Sequence, residues 1–317
     1  MSKSSRTDAP ILITMGEPAG IGPEVAVAAY KALGGHAGGH RLRLIGDPDV
    51  FIACGMSDRA ALVATKARAA RAAGQPDKRN AAAVIEAIEA GVGLALRGEA
   101  AAVVTAPINK AVLMEGGFRY PGHTEFLQAL TKSPRAVMML ASDKLRVVPL
   151  TIHLPLADVP HALTTAAVVE TGEIIVAALR RDFGIAKPRL AVAGLNPHAG
   201  EDGMLGKEDG GIIAPAVATL RTRGHDVRGP LSADTLFHDE ARARYDAALC
   251  MYHDQALIPI KTLSFWDGVN VTLGLQIVRT SPDHGTAFDI AGTGRADARS
   301  MIAAIRMAAQ MADARAR

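Results

Sequence analysis

Short, mostly apolar runs alternate along the chain with longer stretches in which apolar residues recur every three or four positions. The short runs predict buried strands at residues 11–14, 42–47, 101–107, 136–140, 145–153, 188–194 and 247–253. The longer stretches predict helices at 24–33, 80–98, 166–183, 211–224 and 298–316, the second of them capped by Asn80. This alternation is typical of a parallel α/β sheet.

Glycine-rich segments separate these elements. The segment "MGEPAGIGPE" (15–24) joins the first strand to the first helix, but it matches neither the dinucleotide fingerprint nor the P-loop. It could be a tight turn, or an anion site at the start of the helix. We expect "GGHAGGH" (34–40) to be a flexible connector, and the first ten residues to be a loose tail. The alternation breaks at 118–121, which indicates a domain boundary there.

Composition narrows the function classes. Aromatic residues make up only 4%, and 35 basic against 32 acidic residues give a net charge of +3, so we expect no nucleic-acid partner. The two cysteines, Cys54 and Cys250, lie in apolar runs without a CxxC partner, which fits a reducing compartment. No signal peptide or membrane span stands out, so we expect a cytoplasmic protein without a membrane partner.

Three histidines lie at or just beyond the carboxyl ends of predicted strands: His153, His198 and His253. Ligands of open α/β sheets bind at that edge, and three imidazoles there could hold a divalent metal with one position open. Each histidine could instead be satisfied by backbone hydrogen bonds, and the intervals of 45 and 55 residues match no local metal motif.

Polar residues also follow His253, within otherwise apolar segments. Lys261 and Arg279 could bind a phosphate or a carboxylate, with Asn270, Asp283 and His284 near them in sequence. The alternative is that such residues are ordinary surface charges.

Seven motifs together resemble one known family: "GEPAGIGPE", "TAPINK", "PGHTEFL", "GLNPHAGE", "GPLSADTLF", "MYHDQ" and "GVNVTLGLQIVRTSPDHGTAFDIAG". The chain is similar, over roughly residues 11–310, to the 4-hydroxythreonine-4-phosphate dehydrogenases of vitamin B6 biosynthesis. The segment "DHGTAFDIAG" also resembles the adenosine-binding segment of isocitrate and isopropylmalate dehydrogenases. The resemblance implies their fold, with two α/β/α domains, a cleft between them and an obligate homodimer.

On this fold we expect the first α/β domain to comprise residues 1–120 plus 294–317. The second domain, residues 121–293, would then carry most of the metal and dimer residues.

The resemblance also implies roles for particular residues. One divalent metal per subunit (Zn, Mg or Co) would be bound by His153, His198 and, from the other subunit, His253. The phosphorylated substrate would contact His123, Thr124, Lys261, Asn270 and Arg279. NAD or NADP would lie against His284, Gly285, Thr286 and Asp297. Asp234 and Lys261 are the catalytic candidates, although a metal-bound water could equally serve as the general base.

The implied reaction is NAD(P)-dependent oxidation of 4-phosphooxy-L-threonine, followed by decarboxylation to 3-amino-2-oxopropyl phosphate. Related dehydrogenases acting on D-threonate or D-erythronate 4-phosphate, or on an aromatic cis-diol, share the metal residues. A metal-dependent hydrolase and a non-catalytic protein with a structural metal are alternatives from other classes. Asp297 stands where the decarboxylating relatives often have asparagine, so the choice between NAD and NADP stays open.

Overall fold

The computed structural model describes residues 9–317, so most of the predicted tail lies outside the described residues. The chain forms two compact units. Unit 1 comprises the residues up to Ala136 together with Val269–Arg317, and unit 2 comprises Val137–Gly268. The predicted domains, 1–120 plus 294–317 and 121–293, share this discontinuous arrangement but differ in their limits; the domain assignment stays a prediction.

The strands and helices are numbered in chain order. The strands are β1 (Ile11–Thr14), β2 (His36–Ala37), β3 (His40–Gly46), β4 (Leu62–Ala64), β5 (Ala102–Val104), β6 (Val137–Ala141), β7 (Arg146–Pro149), β8 (Arg189–Ala193), β9 (Asp226–Leu231), β10 (Ala247–Cys250), β11 (Val269–Leu273) and β12 (Arg279–Pro282). The helices are α1 (Gly22–Ala32), α2 (Pro48–Ala53), α3 (Ala81–Leu96), α4 (Lys110–Glu115), α5 (His123–Thr131), α6 (Val159–Ala162), α7 (Thr165–Arg181), α8 (Ala214–Thr222), α9 (Asp239–Arg242), α10 (His253–Leu263) and α11 (Arg299–Ala316).

In unit 1 the strands lie in the order β2-β3-β1-β5-β12-β11, with β4 beside β3. Strands β3, β1, β5 and β12 run parallel, whereas β11 is antiparallel to β12. All four residues of β1 are buried, as expected of a central strand in a parallel sheet. Helices α3 and α11 pack on the sheet through alanine-rich faces.

In unit 2 the strands lie in the order β6-β7-β10-β8-β9. Strands β7, β10, β8 and β9 are parallel, and β6 pairs antiparallel with β7. The carboxyl ends of β7, β8 and β10 therefore lie along one edge, where ligands of such sheets bind. The predicted α/β class is confirmed.

Several predicted boundaries were wrong at this edge. Strand β7 ends at Pro149 rather than at His153, and β10 ends at Cys250 rather than at His253. His253 is instead the first residue of α10, which contains Pro259 within the helix. The helix was not predicted, because the apolar run of β10 leads directly into it. Strand β9 and the antiparallel pair β11–β12 were also not predicted, because polar residues interrupt their apolar alternation.

Two local predictions fail for identifiable reasons. Asn80 does not cap α3 with its side chain; its amide group both donates to and accepts from the backbone of Ala70. The segment 34–40 is an ordered hairpin of β2 and β3, not a flexible connector. His40 is buried there, hydrogen-bonded to the Ala9 carbonyl at 2.7 Å and to Asp313 at 3.2 Å.

Across residues 9–317, no helix taken singly has the length and apolar character needed to cross a membrane. One pair, Leu156–Ala162 with Thr165–Arg181, meets those criteria jointly but is bent by 91°.

Candidate functional site

Two imidazoles lie together at the carboxyl edge of unit 2. His153 follows β7 and His253 follows the neighbouring parallel strand β10, and their ring centroids are 6.1 Å apart. Both line a cavity of about 260 Å³. Nδ1 of His253 hydrogen-bonds to Asp254 Oδ1 at 2.7 Å, which leaves Nε2 as the free ring nitrogen.

His198 belongs to a tightly coiled segment after β8, Pro197–Gly203. From His198 to Asp202 every residue has positive φ, between 42° and 84°. Four of these five residues are not glycine, so the surroundings must hold this left-handed conformation. The bend exposes the His198 side chain instead of burying it.

Asp209 holds the start of that segment. This carboxylate is buried and accepts hydrogen bonds from the backbone N–H of Leu195 at 2.8 Å and from both the backbone and the side chain of Asn196. Asp209 therefore satisfies the backbone donors that the abrupt end of β8 leaves unpaired.

Acidic residues surround His198. Its Nδ1 lies 3.4 Å from Glu201 Oε2, and its segment packs against Ala233–Thr235, which carries Asp234. The Ser232 hydroxyl donates to Asp234 at 2.6 Å and, with a smaller contribution from His198, holds the pKa of Asp234 below its usual range. Asp234 is exposed and stays ionised at neutral pH.

These donors fit a divalent cation. His198 and His253 each direct Nδ1 to a carboxylate, the arrangement that orients a metal-binding imidazole and leaves Nε2 to coordinate. Within the described part of one chain, however, no three His, Cys, Asp or Glu side chains come close enough to hold a metal ion. The structure brings His153 and His253 together but does not join His198 to them in one such group.

Unit 1 contains a buried guanidinium with only neutral partners. Arg279, at the start of β12, is 3% exposed and donates to Thr105 Oγ1 at 2.6 and 3.1 Å and to Thr272 Oγ1 at 2.8 Å. Burial lowers its pKa to about 10. No carboxylate among residues 9–317 pairs with it, so the charge is available to an anion.

His123 lies within the electrostatic reach of Arg279. Its Nε2 is sealed from solvent without a hydrogen-bond partner, and burial, aided by Arg279, lowers its pKa well below the usual range. The imidazole is therefore neutral at pH 7. A half-buried neutral imidazole near a guanidinium can hydrogen-bond to a polar ligand that the guanidinium attracts.

The other predicted substrate residues divide between the units. Thr124 follows His123 in the first turn of α5, and Asn270 lies on β11 opposite Ser281, both in unit 1. Lys261 belongs to α10 of unit 2, where its Nζ lies 5.9 Å from the centroid of the Phe265 ring.

The predicted cofactor segment follows β12. His284 Nδ1 contacts the Gly285 carbonyl at 3.0 Å, while its Nε2 is buried without a partner. The Thr286 carbonyl accepts from the N–H of Ile21, and a Cβ on Gly20 would lie 2.7 Å from that carbonyl oxygen. The glycines of 15–24 thus allow a tight turn against this segment.

Asp297 lies further along, beside Arg299. Both oxygens of its carboxylate accept hydrogen bonds from Arg299, and this pairing lowers the pKa of Asp297. The carboxylate is therefore ionised and already partnered.

Sequence reasoning missed the residues that support the site. Thr105, Thr272 and Asp209 make the decisive hydrogen bonds, and Glu201 faces His198. Thr105 and Glu201 stand inside the motifs "TAPINK" and "GLNPHAGE", which was the only signal available. Thr272 likewise stands inside the motif "GVNVTLGLQIVRTSPDHGTAFDIAG". Asp209 carried no signal, because its importance depends on contacts with residues more than ten positions away.

These features define an α/β protein that offers imidazoles to a cation and a buried guanidinium to an anion. Comparison with known proteins identifies the family. Residues 40–308 match the family described as "Pyridoxal phosphate biosynthetic protein PdxA". The 4-hydroxythreonine-4-phosphate dehydrogenase of Roseobacter denitrificans is 55% identical, covering 97% of this chain and 98% of the relative.

Solved structures agree. The crystal structure of 4-hydroxythreonine-4-phosphate dehydrogenase from Klebsiella pneumoniae superposes with a TM-score of 0.86 at 36% identity, covering 96% of this chain and 99% of that one. A terephthalate 1,2-cis-dihydrodiol dehydrogenase from Burkholderia xenovorans gives a TM-score of 0.68 at 28% identity, covering 96% and 98%. The chain belongs to the PdxA family of pyridoxal phosphate biosynthetic proteins, which confirms the family expected from the motifs.

Proposed function

We propose that this chain oxidises 4-phosphooxy-L-threonine with NAD or NADP and decarboxylates the product to 3-amino-2-oxopropyl phosphate, in pyridoxine 5′-phosphate biosynthesis. The observation that carries the proposal is the nearly full-length similarity, at 55% identity, to a relative named for this dehydrogenase activity. The cation-binding and anion-binding features described above are the two that such a substrate needs.

The reaction joins an oxidation to the loss of CO₂. The carbinol carbon loses a hydride and its hydroxyl loses a proton; the resulting β-keto acid releases CO₂, and the enolate takes up a proton on carbon. Bound NAD or NADP would supply the hydride acceptor, and a divalent cation (Zn, Mg or Co) held by His153, His198 and His253 would supply Lewis-acid stabilisation of negative charge on the substrate oxygen.

The chain's own residues bind and orient the substrate. Arg279 supplies a desolvated positive charge for an anionic end of the substrate, because its present partners are neutral hydroxyls. His123 is a neutral hydrogen-bonding group beside it, with Thr124 and Asn270 in the same unit. Lys261 is a second candidate for the other anionic end.

Asp234 and Lys261 are the protein residues that we consider for proton transfer. Asp234 stays ionised, which suits a hydrogen-bond acceptor that orients a neighbouring group rather than a strong base. Lys261 remains the other protein candidate for the base. Against the cofactor we place His284, Gly285, Thr286 and Asp297, of which Gly285 has open space where a side chain would be.

We further propose a homodimer in which His153 and His198 of one subunit and His253 of the other complete the metal site. The support is that one chain does not assemble three ligands by itself within residues 9–317. Because His153 and His253 of the same chain are neighbours, the division of ligands between subunits needs a direct test.

A dehydrogenase acting on an aromatic cis-diol is the second candidate, favoured by the similarity to the Burkholderia xenovorans enzyme. A dehydrogenase for D-threonate or D-erythronate 4-phosphate and a metal-dependent hydrolase are further alternatives. The lower identity of 28% makes the cis-diol candidate the weaker of the two that have a solved relative.

The test is absorbance at 340 nm with 4-phosphooxy-L-threonine, NAD or NADP and a divalent metal. We expect cofactor reduction with release of CO₂, and none when the dephosphorylated substrate replaces the ester at the same concentration. Reduction with a cis-diol alone would establish the second candidate. Phosphate release without nicotinamide would establish the hydrolase, and no turnover of any phosphorylated hydroxy acid would refute the dehydrogenase.

A further inference from the structure

Unit 2 has another cavity, enclosed by β8, β9 and the segment that follows β9. Its volume is about 290 Å³, and its lining includes none of the residues assigned above to metal, substrate or cofactor. Leu190, Leu231, Leu236 and Tyr245 form apolar walls. A volume near the lower end of the range of small-molecule sites, about 300–1,000 Å³, fits a single ring with one substituent and excludes a dinucleotide.

The charge of this cavity is positive. Of the three arginines that line it, Arg189 is neutralised by Asp246, at 2.9 and 3.2 Å. Arg228 and Arg244 hydrogen-bond to no other side chain among the described residues, and both are exposed. None of the described lining residues is acidic. Two unneutralised guanidinium groups on one cavity favour an anionic ligand.

Two hydroxyl groups lie on the same wall, and each now donates within the chain, Ser232 to Asp234 at 2.6 Å and Thr235 to the Ser232 carbonyl at 3.2 Å. Ser232 and Thr235 line the cavity beside His238. Guanidinium forks with adjacent hydroxyls suit the three terminal oxygens of a phosphate ester, whereas the leucine and tyrosine walls suit an apolar ring. We propose that this cavity binds the phosphate monoester of a monocyclic compound, at a site separate from the catalytic one.

A ligand bound in this cavity would affect Asp234 and the His198 segment at the carboxyl edge of the unit 2 sheet. Ser232 lines the cavity and its hydroxyl donates to Asp234 at 2.6 Å, and Ala233–Thr235 packs on the His198 segment. A phosphate that draws the Ser232 hydroxyl away removes a hydrogen bond that orients Asp234. The ligand is therefore a modulator of turnover; this second step rests on the proposed function, whereas binding itself does not.

Calorimetric titration of the full chain with phenyl phosphate tests binding, with phenol and inorganic phosphate as partial ligands. We expect phenyl phosphate to bind more tightly than either, and Arg228→Ala and Arg244→Ala each to weaken it about tenfold or more. Arg223→Ala is the matched control, because Arg223 is exposed and pairs with Glu173 away from the cavity. Thermal midpoints check that each variant folds.

Unchanged affinity in both cavity variants would overturn the site, as would binding equal to that of inorganic phosphate. In the dehydrogenase assay, phenyl phosphate should change kcat at saturating substrate in the wild type and not in Arg228→Ala. Purely competitive inhibition that persists in Arg228→Ala would place the ligand in the substrate site instead. If no dehydrogenase activity exists, the titrations alone still decide whether the cavity binds the ester.

Discussion

Arg279 is a buried cation whose charge no carboxylate of residues 9–317 balances. Its fork reaches two threonine hydroxyls at once, a geometry that a lysine ammonium cannot reproduce. This arrangement is costly for folding alone, and in the proposed function an anionic end of the substrate offsets that cost.

We therefore expect Arg279→Lys to lower kcat/KM by about tenfold to a hundredfold, as loss of charge-assisted hydrogen bonds worth about 1.5–3 kcal/mol would do. Steady-state kinetics with the phosphorylated substrate measure this. Arg306→Lys, an exposed position on α11, is the control and should be unaffected. Equal kinetics for the two variants would remove Arg279 from the anion site.

Glu17 is a second buried ionisable group, and the sequence analysis assigned it no role. Its Oε1 accepts from the N–H of Ala19 at 3.1 Å, and its Oε2 is buried without a partner. Burial raises its pKa above 4.5; the Ala19 hydrogen bond opposes this in part, and Asp77 adds to it. The folded protein therefore keeps a proton that the unfolded chain has already lost just above pH 4.5.

Stability must then fall as pH rises from 4.5 towards the raised pKa, because the unfolded state binds fewer protons there. Glu17→Gln removes this titration. We expect the thermal midpoint of Glu17→Gln to rise relative to that of the wild type as pH rises through this window. Above the window the difference between the two midpoints should stay constant. Scans from pH 4 to 8 measure the difference, with Glu89→Gln, exposed on α3, as the control. A difference independent of pH would show that Glu17 titrates normally.

At the scale of elements, the sequence predicted best where burial alone decides the structure. Strand β1 and helix α11 agree with the predictions to within one residue, because uniform apolar runs and helical spacing leave few alternatives. The predictions failed where a polar contact ends an element. Strand β10 ends at Cys250, and the next backbone N–H, that of Met251, donates to the Gln255 side chain at 2.6 Å, although the apolar character continues across that break.

The His198 segment shows the same limit within the site. The glycines and proline of "GLNPHAGE" favour a bend after β8, and the structure has such a bend. These residues did not predict the left-handed conformation of residues 198–202. That conformation depends on Asp209, eleven residues after His198, which accepts hydrogen bonds from the backbone just before the segment. A contact of this kind depends on the fold rather than on local sequence.

We expect Asp209→Asn to loosen that segment, because the amide of asparagine would face backbone donors that need an acceptor. Metal affinity should fall by about 10–100-fold, the usual effect of losing a residue that orients a metal ligand. Calorimetry with Co²⁺ measures the loss. Asp202→Asn, an exposed acid of the same segment, should leave affinity unchanged. Wild-type affinity in Asp209→Asn would show that the segment is held by other contacts.

At the scale of the whole molecule, the α/β class and the family were predictable from the sequence. The division of metal ligands between two chains follows only from the family resemblance and stays a prediction. Strand-end placement predicted three imidazoles along one edge, and two of them lie side by side. Whether His253 serves its own chain or a partner depends on how the proposed dimer is arranged.

Mixed dimers decide between these arrangements. If His253 acts across the interface, pairing a His153→Ala chain with a His253→Ala chain places both defects in one site and leaves the other intact. Differently tagged chains, co-purified as heterodimers, should then recover about half of the wild-type activity, although either homodimer is inactive. The reference is a heterodimer of a His153→Ala chain with a His161→Ala chain, His161 being an exposed histidine of α6. It should be half active whether His253 acts across the interface or within its own chain. An inactive His153→Ala/His253→Ala heterodimer beside a half-active reference would show that the neighbouring imidazoles serve a single chain's own site.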